Sequence, residues 1–438
     1  MIDSLTSVVP AQFAEREGVY RALCDLLAGG PEAVDWAGFS PLDWARLAGM
    51  AEVEGVGPLL YWHIRQKEQM IDRTEIEREL VDRWPAAIPA PVIERLSGLY
   101  YNTAAANALL FDELGRIMRG LNAAGIQPVI LKGAALAFSH YPDPGLRPMG
   151  DLDLLVYPAD LENAVEIVES LGYREAATQN KALNRRIGHH VQLSKGAKAE
   201  RLVELHWSLI AGEADRRTPA LEWFWEQVEP AAASGFLSRD SDKPLEALQF
   251  RPPAELLYLT SHLTLQHNWQ ERLIWYYDLH LLIGDRANPL DWDAALTQAE
   301  TLGWSAILCQ KVEATRQRFG TLLPDSWPVR IADILADRQA GKTGPQTGAG
   351  SARQTAGAAK PDAGEDPAAL DWQRMQALRG EARLRFILAL ILPAPAYMRR
   401  RYTPRPAWLW PLAYPYRWGR MLQAGVSELA GRKVRRGG

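Results

Sequence analysis

VILKGAALAFSHYPDPGLRPMGDLDLLV, residues 129–156, is the stretch from which the fold can be read. A short apolar run over 129–131 predicts a buried strand that stops at Lys132-Gly133. Small residues over 134–139 predict a helix, and a Pro/Gly-rich loop then leads into a second strand over 151–156. Side chains alternate along a strand, so Asp151 and Asp153 share one face, while Leu152, Leu154 and Val156 share the other. Two carboxylates that close repel each other, and a bound divalent cation is the usual means of offsetting the repulsion.

Outward from this stretch the pattern is helical on both sides. Upstream, helices are expected over 11–27, 41–54, from 58 to 66, and over 91–124 as one long helix or a kinked pair. Downstream of the second strand, apolar residues at helical spacing over 160–171 end at Gly172. Strands follow over 189–193 and 202–209. On the last of these Leu202, Glu204, His206 and Ser208 share one face, so Glu204 is an acid on an otherwise apolar strand. From residue 253 helices resume over 254–266, 272–283, 290–302 and 305–319.

The expected fold class is therefore α+β: a small mixed β-sheet core flanked by N-terminal and C-terminal helical regions. The expected organisation is a helical region over 1–125, the sheet core over 126–212 and a second helical region over 253–337. A disordered linker over 338–369 and a helical, basic-aromatic tail over 370–438 complete it. The linker assignment rests on composition, since 338–369 holds no Leu, Ile, Val, Met or aromatic residue.

Composition places the chain among soluble globular proteins, at 47% hydrophobic and 23% charged residues. Cys24 and Cys309 lie far apart within apolar helical patterns, which predicts buried free thiols and suits a cytoplasmic location. The N-terminus lacks the basic and apolar regions of a signal peptide. The longest apolar run, 386–398, is broken by Pro393 and Pro395 and is too short to span a bilayer. Net charge is −4, but 371–438 holds 14 Lys/Arg against 3 Asp/Glu, a balance of +11 that leaves −15 for the rest. Such a tail fits either an anionic partner, nucleic acid or membrane surface, or the acidic body of the protein itself.

Transfer of a nucleotidyl group needs a glycine at a helix start to admit a triphosphate, two or three carboxylates on rigid strands for Mg²⁺, and cations for the leaving pyrophosphate. Gly133 meets the first need; Asp151, Asp153 and Glu204 are candidates for the second; Lys132 and Arg147 are candidates for the third. Each also has a structural reading: Lys132 as a solvated strand end, Arg147 as a partner of Asp151, Glu204 as a buried ion-pair partner. His206, and Asp278 among the C-terminal helices with His262, His267 and His280, are accessory candidates that could equally hydrogen-bond within the core. His189 and His190 are adjacent, so alternation lets only one face the site.

The stretch from Leu131 to Val156 resembles the Lys-Gly…Arg-x-x-x-Asp-x-Asp signature of the DNA polymerase β-like nucleotidyltransferase superfamily. More closely, it is similar to the bacterial group of uncharacterised nucleotidyltransferases, NTP-transferase type 5. GVGPLLYWHI (55–64), ELHW (204–207) and LIWYYDLHLLI (273–283) are similar to that family's other motifs, so the resemblance spans about 40–320. It implies paired metal ligands at Asp151 and Asp153, a third carboxylate at Glu204, and the triphosphate at Gly133. It further implies Mg²⁺ as cofactor, with Mn²⁺ as the alternative, and an NTP as substrate. The acceptor it leaves open: a small molecule, a peptide product or RNA. One position departs from the pattern, because Ala134 stands where the superfamily commonly carries a serine whose hydroxyl touches phosphate. Two other functions are compatible with these residues. One is a toxin-like transferase acting on tRNA through the basic tail, and the other is a catalytically degenerate nucleotide-binding scaffold. A glycosyltransferase also uses D-x-D, but the Lys-Gly helix start and the helical upstream region are unlike it.

Overall fold

The computed structural model describes residues 11–36, 38–70, 88–176, 181, 184–185, 188–196, 201–209, 219–238, 245–265, 271–339, 380–402 and 407–420. Most of the expected linker and the last stretch of the basic tail lie outside the described residues.

Among the described residues four α-helices precede the sheet: α1 (Ala11–Gly29), α2 (Pro41–Val53), α3 (Gly57–Met70) and α4 (Ala90–Ala123). Helix α2 starts at a reciprocal cap, in which Ser40 Oγ accepts from the Asp43 N–H while the Asp43 carboxylate accepts from the Ser40 N–H. Helix α4 is a single helix of 34 residues. It closes before Gly125, whose φ of 76° is the left-handed conformation that glycine adopts without strain.

The chain then builds β1 (Val129–Leu131), α5 (Lys132–Ser139), β2 (Asp151–Leu155), α6 (Leu161–Ser170), β3 (Arg174–Glu175), β4 (His190–Lys195) and β5 (Arg201–His206). Next come α7 (Pro219–Glu226), β6 (Val228–Pro230), α8 (Ser234–Leu237) and β7 (Leu248–Phe250). Helices α9 (Pro252–Leu265), α10 (Leu273–Gly284), α11 (Trp292–Leu302), α12 (Ser305–Phe319) and α13 (Trp327–Gln339) follow. In the tail come α14 (Gly380–Ile391), α15 (Pro395–Tyr402) and a 3₁₀ turn (Ala407–Leu412) that packs on α15. The segment is tied by hydrogen bonds from Tyr414, Arg417 and Trp418 side chains to the carbonyls of Pro393, Leu390 and Ile391.

The fold is α+β, one seven-stranded mixed sheet in the order β3-β4-β5-β2-β1-β7-β6 flanked by helices. The sheet is wider than the four strands read from sequence. β7 joins β1 in parallel and β6 pairs with β7, so residues beyond 212 complete the sheet. These strands are three residues long, and β3 only two, too short for alternation to register in a sequence.

Each face of the sheet buries its own core. Ile130, Leu152, Leu154, Val203 and Leu205 pack with Leu114, Ile117 and Met118 of α4 and with Val165 and Val168 of α6. Val129, Leu131 and Leu155, on the opposite face, join Leu256, Leu279 and Leu308 from α9, α10 and α12. Full burial of one such side chain contributes roughly 1.5–3 kcal/mol, so the acidic residues sharing that second face are held in position by their apolar neighbours. Cys24 and Cys309 are buried free thiols, as expected. No helix among the described residues is long and apolar enough to cross a membrane.

Candidate active site

The site forms where β2 and β5 lie side by side. The two strands are parallel, with Asp151 beside Leu202, Asp153 beside Glu204 and Leu155 beside His206. Residues in register on neighbouring strands point the same way, so Asp151, Asp153, Glu204 and His206 all project toward the C-terminal helices. Strand β1 runs antiparallel to β2 with Leu131 opposite Asp153. The residue after Leu131, Lys132, therefore turns directly over the carboxylates.

Lys132 makes that turn at φ 47°, the one non-glycine residue with positive φ among the described residues. A left-handed conformation costs an L-residue about 1–2 kcal/mol, so the surrounding structure must hold it there. What it gains is an ion pair. Lys132 Nζ donates to Asp153 Oδ1 at 2.8 Å, with Asp153 almost wholly buried. His206 Nε2 lies 2.9 Å from the same oxygen and 3.5 Å from Glu204 Oε2. Burial by itself would raise the Asp153 carboxyl, but the charge of Lys132 and the hydrogen bond from His206 hold it far below the usual range. His206 moves the other way: burial opposes its charge, while Asp153 and Glu204 raise its pKa. Asp151 has no such direct partner. Burial, then the neighbouring Asp153 charge, push its pKa up to about 6.

Helix α5 starts without a side-chain cap, which leaves backbone N–H groups of its first turn as donors. Gly133 is needed there for space. A Cβ at that position would come within 2.7 Å of Arg147 Nη1 and 3.2 Å of Met149 Cβ. Ala134 is buried, so its methyl occupies an apolar contact.

Arg147, expected either near phosphate or paired with Asp151, makes its ion pair with α10. Its Nε and Nη2 donate to the two carboxylate oxygens of Asp278 at 3.0 and 2.8 Å, and the Tyr141 hydroxyl donates to Asp278 at 2.7 Å. All three side chains are buried. Burial opposes the charge on Arg147, but Asp278 raises its pKa above the ordinary guanidinium value. Arg147 thus pairs structurally, with Asp278 rather than Asp151, and anchors the loop that delivers β2. Asp278 takes part in that anchor and not in the carboxylate cluster.

Several residues join the site without a sequence signal. Tyr258 of α9 is buried above the cluster; burial raises its pKa, and the field of Lys132 opposes the rise. His189 and His190 both come to the site, contrary to strict alternation. Strand β4 starts at His190, so His189 precedes the pleat and its ring folds back, with Nε2 2.9 Å from His190 Nδ1. His190 Nε2 lies 3.6 Å from Glu204 Oε1. Burial lowers the pKa of both rings, that of His190 to about 4. Glu204 is pulled down in spite of burial by the His206 hydrogen bond and the nearby His190. His280 turns away to Thr321, and His267 lies outside the described residues.

Asp153, Glu204 and His206 each offer a ligand atom within 4.8 Å of the other two. The strand-turn-helix thus brings the acidic pair on one strand beside the third acid on a parallel neighbour. The family described as uncharacterised nucleotidyltransferase matches residues 40–320, and the chain belongs to it. That span contains every residue placed in the site above. No curated protein matches the chain.

Proposed function

We propose that the chain is a Mg²⁺-dependent nucleotidyltransferase of the DNA polymerase β-like type, moving a nucleoside monophosphate from an NTP to a hydroxyl or phosphate of an acceptor. The observation that carries this reading is the register of β2 and β5, which puts Asp153 beside Glu204 with Asp151 on the same face. Three carboxylates there are met by one lysine and two histidines, and burial keeps one of these, His190, uncharged, so negative charge is in excess inside a largely buried site. Oxygen donors of this kind fit a hard divalent cation. Asp153 and Glu204, whose ligand oxygens lie within 4.8 Å of each other, would hold it, with Asp151 on the same face turning in to join them, and it would supply neutralisation of phosphate-oxygen charge. Lys132 sits at the junction of strand and helix, where its ammonium can be shared between Asp153 and an incoming phosphate. The uncapped start of α5 offers backbone donors to the triphosphate.

Radiolabelled NTPs with Mg²⁺ or Mn²⁺ and a panel of acceptors test the reading. Label transfer or pyrophosphate release is expected from the wild type and lost in Asp151→Asn and Asp153→Asn. Equal behaviour of all three proteins would end the enzyme reading. One observation favours the scaffold alternative: Asp153 Oδ1 already takes both Lys132 and His206, and Ala134 supplies no hydroxyl. A scaffold would bind NTP without turnover, and with an affinity indifferent to Mg²⁺. The basic tail is proposed as a contact to an anionic partner; affinity for RNA that is insensitive to salt and to loss of 399–438 would argue against nucleic acid.

A further inference from the structure

Beside the carboxylates lies a cluster of a different chemical kind. His189, His190 and His206 each offer a ring nitrogen, and the three nitrogens lie within 4.8 Å of one another. The rings are in mutual contact, with centroids 4.3 Å apart for His189–His190, 5.2 Å for His190–His206 and 5.6 Å for His189–His206. Two features make this more than core packing. His206 Nδ1 is buried with no hydrogen-bond partner, a polar group that costs free energy while it stays unpaired. Three adjacent imidazoles also leave more ring nitrogens than the close contacts satisfy: His189 with His190, and His206 with Asp153.

We propose that His189, His190 and His206 form a binding site for a borderline transition-metal ion of the Zn²⁺ class, adjacent to the carboxylate site and joined to it through Glu204. Imidazole donors select Zn²⁺ and its neighbours, whereas carboxylate oxygens select Mg²⁺ and Mn²⁺. The two halves of the cluster therefore favour different ions. Metal–nitrogen bonds of about 2.0–2.1 Å put tetrahedral donors roughly 3.3 Å apart, a spacing that ring rotation can give three nitrogens lying within 4.8 Å of one another. Glu204 is placed to serve both halves, with Oε1 3.6 Å from His190 Nε2 and Oε2 3.5 Å from His206 Nε2. The three nitrogens make a three-donor set that leaves a tetrahedral ion one open position, with Glu204 at its border. The assignment stands on the histidines and does not require that the protein transfer nucleotides.

The test uses the full chain, stripped with a chelator and titrated with Co²⁺ in a large excess of Mg²⁺ that saturates the oxygen site. One equivalent of Co²⁺ is expected to develop ligand-field absorption, to be displaced by one equivalent of Zn²⁺, and to resist the Mg²⁺ already present. His189→Ala/His190→Ala is expected to weaken Co²⁺ binding by at least about 100-fold, the upper end of what loss of even an outer-sphere partner does. Asp151→Asn, by contrast, should keep the Co²⁺ spectrum while losing Mg²⁺-dependent nucleotide transfer, which separates this proposal from the enzyme reading. An absence of ligand-field bands in the wild type at equimolar Co²⁺ overturns the site without recourse to any variant. So does displacement of Co²⁺ by Mg²⁺, or unchanged binding in the double histidine variant.

Discussion

Replacing Asp278 with alanine tests the central structural claim about the loop that delivers the acidic strand. The Arg147 guanidinium and the Asp278 carboxylate are both buried and make a two-pronged ion pair, with contacts of 3.0 and 2.8 Å. Removing the carboxylate leaves a buried cation with no counter-charge, a change that costs about 3–5 kcal/mol. The Tyr141 hydroxyl, 2.7 Å from Asp278, loses its acceptor at a further cost of about 1 kcal/mol. For a cooperative unit of 150–250 residues each kcal/mol lowers Tm by about 2–4 °C, so a fall of about 8–24 °C is expected. Differential scanning fluorimetry at fixed scan rate measures it. Arg147→Met should fall by a similar amount, since it strands the acid instead of the base. The combined Arg147→Met/Asp278→Leu replaces a buried pair with apolar volume and should recover most of the loss. If Asp278→Ala melts within about 2 °C of wild type, or if the two losses simply add, the pair is solvated in solution. Arg147 would then be free to meet phosphate.

Three further outcomes follow from the same geometry. Gly133→Ala should destabilise by about 1–3 kcal/mol, an overpacking cost, because the new methyl meets Arg147 Nη1 at 2.7 Å and Asp278 prevents that group from moving away; thermal denaturation measures it, and an unchanged Tm refutes it. Lys132→Met removes the cation from buried Asp153, so Mg²⁺ should raise Tm more in the variant than in wild type; an equal shift would mean that Lys132 and the metal do not share that carboxylate. His140 is buried with Glu255 at 3.8 Å and Asp285 at 3.7 Å, and Asp278 nearby. Burial opposes its charge, yet these acids raise its pKa above 6.5. Its contribution to stability is thus fully present below about pH 6.5 and lost as pH rises through the folded value. His140→Gln should flatten that slope in a urea-denaturation pH series, and an unaltered slope refutes the assignment.

How much of this was legible in the sequence depends on the length over which each signal repeats. The helices at 161–170 and 305–319 and the strands at 151–155 and 201–206 span enough residues for a period to emerge, and their positions were read closely. Strands β6 and β7 are three residues each, and β6 ends in a proline at the edge of the sheet, where no ladder donor is needed. No period can be detected over so few residues; their pairing is fixed by contacts such as the Leu248 N–H to the Pro128 carbonyl, 120 positions earlier. Helix α9 lies where the sequence places it, but its contribution to the site is not legible. It is buried nearly all round, so the one tyrosine aimed at the site has no polar face to mark it.

The site residues divide along the same line. Strand parity alone puts Asp151 with Asp153 and Glu204 with His206, and the register of β2 and β5 then sets the two pairs on one face. The partner of Arg147 does not, because it lies 131 residues away on a helix. A signal for it was present nonetheless: LIWYYDLHLLI carries one acid in an apolar helix, and a buried acid requires a cation or donors from elsewhere. His189 was missed because parity was extended one residue past the point where the strand begins. That single residue alters the chemistry of the site. With two histidines beside Glu204 the cluster is an oxygen site with accessory bases; with three it has a nitrogen-rich side as well, and Glu204 stands between ions of different preference. A substitution at Glu204 should therefore disturb both metal equilibria at once, whereas Asp151→Asn should disturb only the first. Titration of the two variants with Mg²⁺ and Co²⁺ in parallel separates these cases, and loss of Mg²⁺ binding alone in Glu204→Gln would confine Glu204 to the oxygen site.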